Sequence, residues 1–314
     1  MKKMTQKRIR NDLAFINLDK PVGMTSFDCI RKLRRILGIK KMGHLGTLDP
    51  GASGVLPLAL GKATKLIPYV NGGRKKYRTI IKLGIVTDTN DMQGKIISSC
   101  DPPVFPMKKI QDILEDFRGE IEQTPPAVSA IKIKGQRAYD LVRKGEVPDI
   151  KSRIVNVFSI DIPEYNHPDI SVYMEVSGGT YVRSIARDIG EKLGCGASVA
   201  ELVRTYSEPF GIENSHSIEA ISESFMSEKL EDVLLSPDEV LLNLPVLIVN
   251  EEGLDKIRNG SSICIKHISG VLKKGKEESN EEKLIFLSDS SGIIIALARS
   301  NKEEGKIFME KVFI

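Results

Sequence analysis

The sequence contains no tryptophan, only four histidines and only four cysteines in 314 residues. The cysteines are widely spaced and form no Cys-X-X-Cys pair; they are Cys29, Cys100, Cys195 and Cys264. This spacing predicts reduced thiols rather than a disulfide framework. With so few histidines and no paired cysteines, we do not expect a structural zinc site. The lack of tryptophan leaves any aromatic stacking on a ligand to tyrosine and phenylalanine.

Long apolar runs are also missing. No run of eighteen apolar residues occurs, and no apolar stretch of signal-peptide length follows the basic first twenty residues. The sequence therefore predicts a cytoplasmic protein without a membrane partner. Its apolar and charged fractions, 41% and 28%, are those of an ordinary globular protein. The length favours one large domain with a smaller one, or two comparable domains.

Acidic residues are scarce in the first quarter of the chain. Residues 1–80 hold 18 Lys and Arg against 4 Asp and Glu, a net charge of +14, while the rest of the chain carries −10. This asymmetry indicates a polyanionic partner facing the N-terminal part. A basic surface that only faces solvent explains the charge about equally well. The charge alone therefore leaves both hypotheses open, a nucleic-acid-binding surface and a solvated one.

The segment GHLGTLDPGASGVLPLALGKATK, residues 43–65, contains a single acidic residue, Asp49. Pro50 favours an extended conformation at Asp49, so a stiff loop displays the carboxylate. The GKAT end is not a phosphate-binding P-loop, because the glycine spacing is wrong and Ala63 follows Lys62. An Asp-Pro-Gly turn with only a structural role is the alternative reading.

Local patterns predict the principal elements. Thr25 or Ser26 caps a helix that ends at Gly38, and alternation predicts a strand at 76–84 with Tyr77 among its apolar-facing residues. Further expectations are a helix over 106–119, a basic Pro/Gly-bounded excursion over 124–153 containing a short helix, a strand over 170–184 interrupted by two glycines, a helix over 185–194, an acidic helical connection over 213–239, and a β-rich tail.

Five motifs in order carry a family resemblance. They are INLDKPVGMTS, GHLGTLDPGASGVLPLALGKATK, KYRTIIKLGIVTDTNDMQG, PPAVSAIKIKGQRAYDLVRKG and GGTYVRSIARDIGEKLGCGA. Over residues 13–210 the chain resembles the TruB-type pseudouridine synthases, which isomerise the T-loop uridine of tRNA. The resemblance implies an α+β fold of pseudouridine-synthase type, a mixed, largely antiparallel sheet flanked by helices. It also implies a catalytic domain at 1–240 with a thumb insertion at about 124–153, and a small β-rich, PUA-like RNA-binding domain at 241–314.

The same resemblance implies roles for four side chains around the extruded base. Asp49 would be the nucleophile, and its attack on the sugar carbon or on the uracil ring stays open. Arg183 would keep that carboxylate ionised. Tyr77 and Tyr181 would stack on the uracil, and one of them could move the C5 proton. Because Tyr181 and Arg183 are two residues apart, an extended segment would point both to one side.

Other matched positions would contact the RNA or shape the site. Leu202 corresponds to an apolar pocket residue, His44 to an RNA contact, and Lys20 to a residue that supports the loop or touches phosphate. The thumb has five basic residues, Lys132, Lys134, Arg137, Arg143 and Lys144. Of these, Lys132 and Arg137 are predicted to bind RNA. Val128 stands where the family commonly has an aromatic residue.

The implied activity is isomerisation of uridine 55 in the T loop of tRNA by a monomer that contacts the T loop and T stem. A covalent nucleophile suffices for this chemistry, so no cofactor and no metal are expected. Two alternatives stay open at this point: a non-catalytic RNA-binding or RNA-folding protein, and a synthase of the same chemistry that acts on another RNA.

Overall fold

The computed structural model describes residues 12–70, 73–129, 132–133, 135–143, 145–146, 148–275, 282–301 and 303–314. Among these residues, no helix combines the length and the apolar character needed to cross a membrane. The basic residues before position 12, and Lys134 and Lys144 of the predicted thumb, lie outside the described residues.

A large mixed sheet forms the centre of the molecule. In chain order, the strands of this part of the chain are β1 (Leu13–Lys20), β2 (Met42–His44), β3 (Ala52–Gly61), β4 (Lys75–Leu83), β5 (Ile85–Thr87), β6 (Ile96–Ser99), β7 (Gly119–Gln123), β8 (Lys132–Ile133), β9 (Gln136–Arg137), β10 (Arg153–Asn166), β11 (Asp169–Val176), β12 (Ala197–Ser207), β13 (Phe210–Gly211) and β14 (Leu234–Leu235). The strand order of the large sheet is β14-β1-β3-β12-β4-β11-β10-β7, with β2 paired to β3 and β13 paired to β12. All its pairs are antiparallel except β3 with β12. Two further hairpins pair β5 with β6 and β8 with β9.

The last part of the chain forms a second sheet. The strands are β15 (Val246–Val249), β16 (Ile263–Cys264), β17 (Ile268–Lys273), β18 (Glu282–Ser288), β19 (Ile294–Asn301) and β20 (Lys306–Val312). Their order in the sheet is β16-β20-β19-β18-β15-β17, and all pairs are antiparallel except β15 with β18. The expected β-rich tail is therefore present, while the domain boundary at 240/241 stays a prediction.

Helices cover the large sheet and connect its strands. In the described ranges they are α1 (Ser26–Leu37), α2 (Ile67–Val70), α3 (Met107–Glu115), α4 (Ala138–Arg143), α5 (Val182–Leu193), α6 (Ile218–Met226), α7 (Pro237–Val240) and α8 (Glu251–Arg258). Thr25 is the N-cap of α1, and its hydroxyl accepts a hydrogen bond from Asp28 N in a capping box. Gly38 ends the helix at φ 66°. The predicted helix after Thr25 is confirmed.

Two apolar cores fix this arrangement. The larger one packs α1, α3, α5 and α6 against one face of the central sheet. A second core joins Phe15 and Phe210 of that sheet to Phe286 and Phe313 of the tail. Lys62 Nζ adds a hydrogen bond of 2.7 Å to the carbonyl oxygen of Phe313. The tail sheet thus packs directly on the strands that flank the 43–65 segment.

One predicted strand is wrong at its end. We expected a strand over 170–184, but β11 ends at Val176 and α5 begins at Val182. Tyr181 is the residue before the helix and has extended backbone angles, φ −102° and ψ 112°. Because the residues around it are β-branched or aromatic, which is typical of strands, the sequence pattern predicts a strand that is too long. Arg183 therefore lies in the first turn of a helix.

Candidate active site

Asp49 lies in the tight connection between β2 and β3. The backbone around it is held from two sides: Ser26 Oγ accepts from Leu48 N at 2.9 Å, and Gly23 N donates to Pro50 O at 2.8 Å. Both anchors belong to the chain segment at the start of α1. The loop is therefore fixed to the body of the protein on either side of the carboxylate.

Arg204 of β12 also holds this loop in place. Its guanidinium is buried and donates to three carbonyl oxygens: Val55 through Nε at 2.7 Å, Gly46 through Nη2 at 3.1 Å and Thr47 through Nη1 at 3.4 Å. Gly54 (φ 96°) must be a glycine because a Cβ there would lie 2.3 Å from Arg204 O. Close packing of β3 against β12 thus helps to fix the position of the loop.

Lys20, at the end of β1, supports the segment before α1 that anchors the loop. Its side chain is fully buried, and Nζ donates to the carbonyl oxygens of Pro21 at 2.8 Å and Met24 at 2.6 Å. Burial lowers the pKa of Lys20, and the charge of Asp49 acts in the opposite direction. The two roles predicted for Lys20, support of the loop and contact with a phosphate, stay predictions.

Arg183 meets Asp49 at the mouth of the site. Arg183 Nε lies 2.9 Å from Asp49 Oδ2, while Nη1 donates to Thr89 O at 2.9 Å and Nη2 to Val128 O at 3.1 Å. The arginine side chain is 5% exposed and that of Asp49 is 36% exposed. The backbone carbonyls fix the guanidinium, so its position does not depend on the carboxylate. At position 128 the backbone makes this contact, whatever the side chain.

A second carboxylate shares the arginine. Asp91 Oδ2 lies 3.5 Å from Arg183 Nη1, and Asp91 Oδ1 accepts hydrogen bonds from Thr89 Oγ1 at 2.7 Å and Gln93 N at 3.0 Å. Burial raises the pKa of Asp49 above its usual value, Arg183 opposes this, and the negative charge of Asp91 adds to the increase. The ionised state of Asp49 therefore depends on Arg183.

The carboxylate opens into a cleft of about 240 Å³. Four predicted side chains besides Asp49 line it: Tyr77, Tyr181, Arg183 and Leu202. Tyr77 comes from β4 and Leu202 from β12, whereas Tyr181 is held by hydrogen bonds in both directions between its backbone and the amide of Gln123. The cleft thus combines one carboxylate with two phenol rings and an aliphatic wall.

Other predicted residues lie elsewhere or outside the description. His44 is half-buried on β2, opposite Leu58, and does not line this cleft. Lys132 and Arg137 belong to the small hairpin of β8 and β9, but their side chains, like that of Arg143, lie outside the described residues. Their predicted contacts with RNA stay predictions.

Several residues of the site were not identified from the sequence. Lys75, Arg153 and Arg204 line the cleft, and Asp91 lines a smaller cavity beside it. The signal for Asp91 was available in TDTNDMQG, a short segment with four acidic or amide side chains. Across the described ranges, no group of three or more His, Cys, Asp or Glu side chains is placed to hold a metal ion.

Comparison with protein families gives two adjoining matches. Residues 34–182 match the model described as TruB family pseudouridylate synthase (N terminal domain). Residues 183–243 match the model of the tRNA pseudouridylate synthase B C-terminal domain. The two matches together span the large sheet from α1 onwards and include every residue of the cleft described above.

Curated relatives and solved structures agree with this. The chain is 40% identical to tRNA pseudouridine synthase B of Prochlorococcus marinus (strain NATL1A), over 95% of this chain and 94% of that protein. It is 39% identical to the protein of the same name from Clostridioides difficile (strain 630), over 95% and 99%. A Cbf5-Nop10-Gar1 complex contains a similar chain, with TM-score 0.70 and 27% identity over 96% of this chain and 85% of that one. An H/ACA RNP bound to a substrate RNA containing 2'-deoxyuridine contains another, with TM-score 0.69 and 25% identity over 97% and 86%.

Proposed function

Because this chain belongs to the TruB family of tRNA pseudouridine synthases, enzymes that isomerise uridine to pseudouridine in tRNA, we propose that its target is uridine 55 of the T loop and that Asp49 is the nucleophile. The observation that carries the proposal is the 2.9 Å contact of Asp49 with a buried arginine at the wall of a cleft lined by two tyrosines.

The reaction needs one nucleophile and no redox partner. The C1′–N1 glycosidic bond breaks, the uracil turns, and a C1′–C5 bond forms while C5 loses a proton and N1 gains one. An ionised carboxylate forms a transient covalent bond with the nucleotide and leaves unchanged at the end, so atoms and electrons balance. Asp49 meets this requirement, since among the described residues it is the one carboxylate on the wall of the larger cleft.

Arg183 tunes that carboxylate. Burial removes solvent from the carboxylate and so raises the pKa of Asp49, while the guanidinium opposes this increase and favours the ionised form. Since backbone carbonyls hold the guanidinium, Asp49 meets a preorganised positive charge rather than a mobile one.

The uracil would enter the cleft as an extruded base. Tyr77 and Tyr181 provide rings for stacking and Leu202 an apolar surface, and a base stacked in a duplex is out of reach of Asp49. Unstacking costs least in a structured loop, which favours a T-loop substrate over a helical stem. Tyr77 is the candidate for moving the C5 proton, because it comes from the strand beneath the cleft.

Binding to the rest of the tRNA would use charge. The basic residues of the thumb and the strongly basic first 80 residues would contact phosphates, and His44 would contact the RNA near the extruded nucleotide. Residues 241–314 would act as a PUA-like RNA-binding domain. One protein chain supplies every residue in this scheme, so a monomer would be sufficient.

Replacement of the nucleophile tests the proposal. Asp49→Asn should abolish pseudouridine at position 55 of an unmodified tRNA while affinity stays within about threefold, because the amide keeps the size of the side chain. Asp101→Asn, an exposed carboxylate before α3, is the matched control and should leave both unchanged. Pseudouridine is mapped along the whole tRNA. Product formed by Asp49→Asn, or wild-type product at another position, would contradict the assignment.

A further inference from the structure

Three basic side chains share the wall of the cleft and have no acidic partner among the residues that the structure describes. Lys75 begins β4, Arg153 begins β10, and Arg204 lies in β12. All three lie on the core-facing side of their strands, in register with apolar residues such as Val155. Lysine and arginine on this side of a sheet are costly unless they are paired. We refer to these three residues as the cation cluster.

The existing contacts of the cation cluster leave its charge uncompensated. Arg204 donates to two carbonyls of the Asp49 loop and to one of β3, all of which are neutral. Arg153 donates through Nη2 to the carbonyl oxygen of Gly179 and lies over the ring of Tyr181, 5.0 Å from its centroid. Lys75 Nζ makes no hydrogen bond or ion pair within the part of the chain that the structure describes. Three positive charges thus converge without an anion.

Lys75 and Arg204 are close to each other. Lys75 Nζ and Arg204 Nη1 lie 3.5 Å and 3.6 Å from the place that a Cβ on Gly46 would occupy, so they are within about 7 Å of each other. Burial and the charges of Arg204 and Arg153 lower the pKa of Lys75 to about 8. Asp49 does not relieve this repulsion, because its own charged neighbours are Arg183, Asp91 and Lys20.

We propose that the cation cluster is a phosphate-binding site, in which Lys75 makes an ion pair with a backbone phosphate next to the target uridine. The proposal rests on the function proposed above, since it assumes an RNA strand in the cleft. A neutral acceptor such as a uracil carbonyl would leave the three charges uncompensated, whereas a phosphodiester supplies a negative charge and free oxygens for charge-assisted hydrogen bonds. Lys75 lies in the same cleft as Asp49 and Tyr77 and would fix the strand while the base enters.

Two adjacent lysines provide a matched pair for the test. Lys76 follows Lys75 but points to the opposite face of β4, where it lies 3.6 Å from Glu175 and is 52% exposed. Lys75→Met and Lys76→Met each remove one charge from neighbouring positions, and only the first changes the cleft. Lys75→Arg keeps a positive charge at the site. Thermal melting of each variant establishes that it is folded.

Binding is measured with a T-arm hairpin RNA in an Asp49→Asn background, so that no turnover occurs. Lys75→Met should weaken binding about tenfold and reduce the salt slope by about 0.7, the value for one lost phosphate contact on a single strand. Lys75→Arg should bind within about threefold of the parent. Lys76→Met should keep the parent slope. Equal slopes for Lys75→Met and Lys76→Met would overturn the proposal.

A neutral phosphate locates the contact. Hairpins with a single methylphosphonate at each phosphate around the target uridine are compared in the parent and in Lys75→Met. At one position the methylphosphonate should weaken parent binding and have no further effect in Lys75→Met. The same loss in both proteins at every position would refute the contact. If the wild-type protein forms no pseudouridine in the unsubstituted hairpin, the proposed function fails; if it does and the losses are equal, only this inference fails.

Discussion

Replacing Arg183 by methionine should make catalysis sensitive to acid. The substitution removes the cation 2.9 Å from Asp49 Oδ2, while burial and the neighbouring Asp91 continue to raise the pKa of Asp49. A larger fraction of the nucleophile is then protonated and inactive at a given acidic pH. The rate should therefore fall more steeply in the variant than in the wild type as the pH decreases.

The size of this effect follows from the geometry. At 2.9 Å two unit charges interact by about 1.4 kcal/mol in water and about 6 kcal/mol at an effective dielectric constant of 20. Because the Asp49 side chain is 36% exposed, solvent screening favours the lower part of this range, about 2 kcal/mol. This corresponds to a roughly 30-fold change in the ionisation equilibrium of the carboxyl group.

Single-turnover pseudouridine formation at pH 5 and pH 8 measures the effect. The ratio of the two rates should increase about tenfold or more in Arg183→Met relative to the wild type. Arg183→Lys should restore the wild-type ratio, since it keeps the charge, although the lost carbonyl contacts lower the rate at both pH values. Arg187→Met, one turn further along α5 and paired with Asp188 at 2.6 Å, is the control. Parallel pH profiles for Arg183→Met and the wild type would refute the electrostatic role of Arg183.

Two predictions concern stability, measured by urea unfolding. Arg204→Met removes two hydrogen bonds to the Asp49 loop and one to β3, so it should lower the free energy of unfolding by about 3–5 kcal/mol and reduce activity. Arg78→Met, on the exposed face of β4, should change stability by less than about 0.5 kcal/mol. Equal losses for the two variants would show that Arg204 does not support the loop. Phe286→Ala should cost about 3–5 kcal/mol because the ring is fully buried between the two sheets, and Phe308→Ala, 39% exposed, should cost much less.

The elements nearest the site were predictable where local rules act alone. The capping residue before α1, the alternation of β4 and the rigid loop at Asp49 are written in neighbouring residues, and the structure has all three. The family resemblance added the partnership of Asp49 with Arg183, which are 134 positions apart and which no local pattern connects. The start of α5 was missed because Tyr181 is extended and Thr180 is β-branched, so the residues before the helix favour a strand.

Side-chain environment was the harder part to predict. Lys20 and Lys75 would each be taken for surface residues, since isolated lysines usually are. Lys20 is buried with its ammonium group bonded to the nearby carbonyls of residues 21 and 24, and Lys75 is half-buried at the core-facing position two residues before Tyr77. The alternation of β4 places Lys75 on the same face as Tyr77. The sequence therefore contained the position of Lys75, but a lysine is not expected on a core-facing side.

The way in which Arg183 contacts Asp49 bears on how the proposed nucleophile could be both ionised and reactive. A bidentate pair would tie up both carboxylate oxygens and make the anion a poor nucleophile. Here Nη1 and Nη2 are directed to the carbonyl oxygens of Thr89 and Val128, so the guanidinium contacts Asp49 through Nε at 2.9 Å. Asp91 also draws on the same cation at 3.5 Å, which weakens its hold on Asp49. As the proposed nucleophile, Asp49 would thus be stabilised as an anion and still be available to attack.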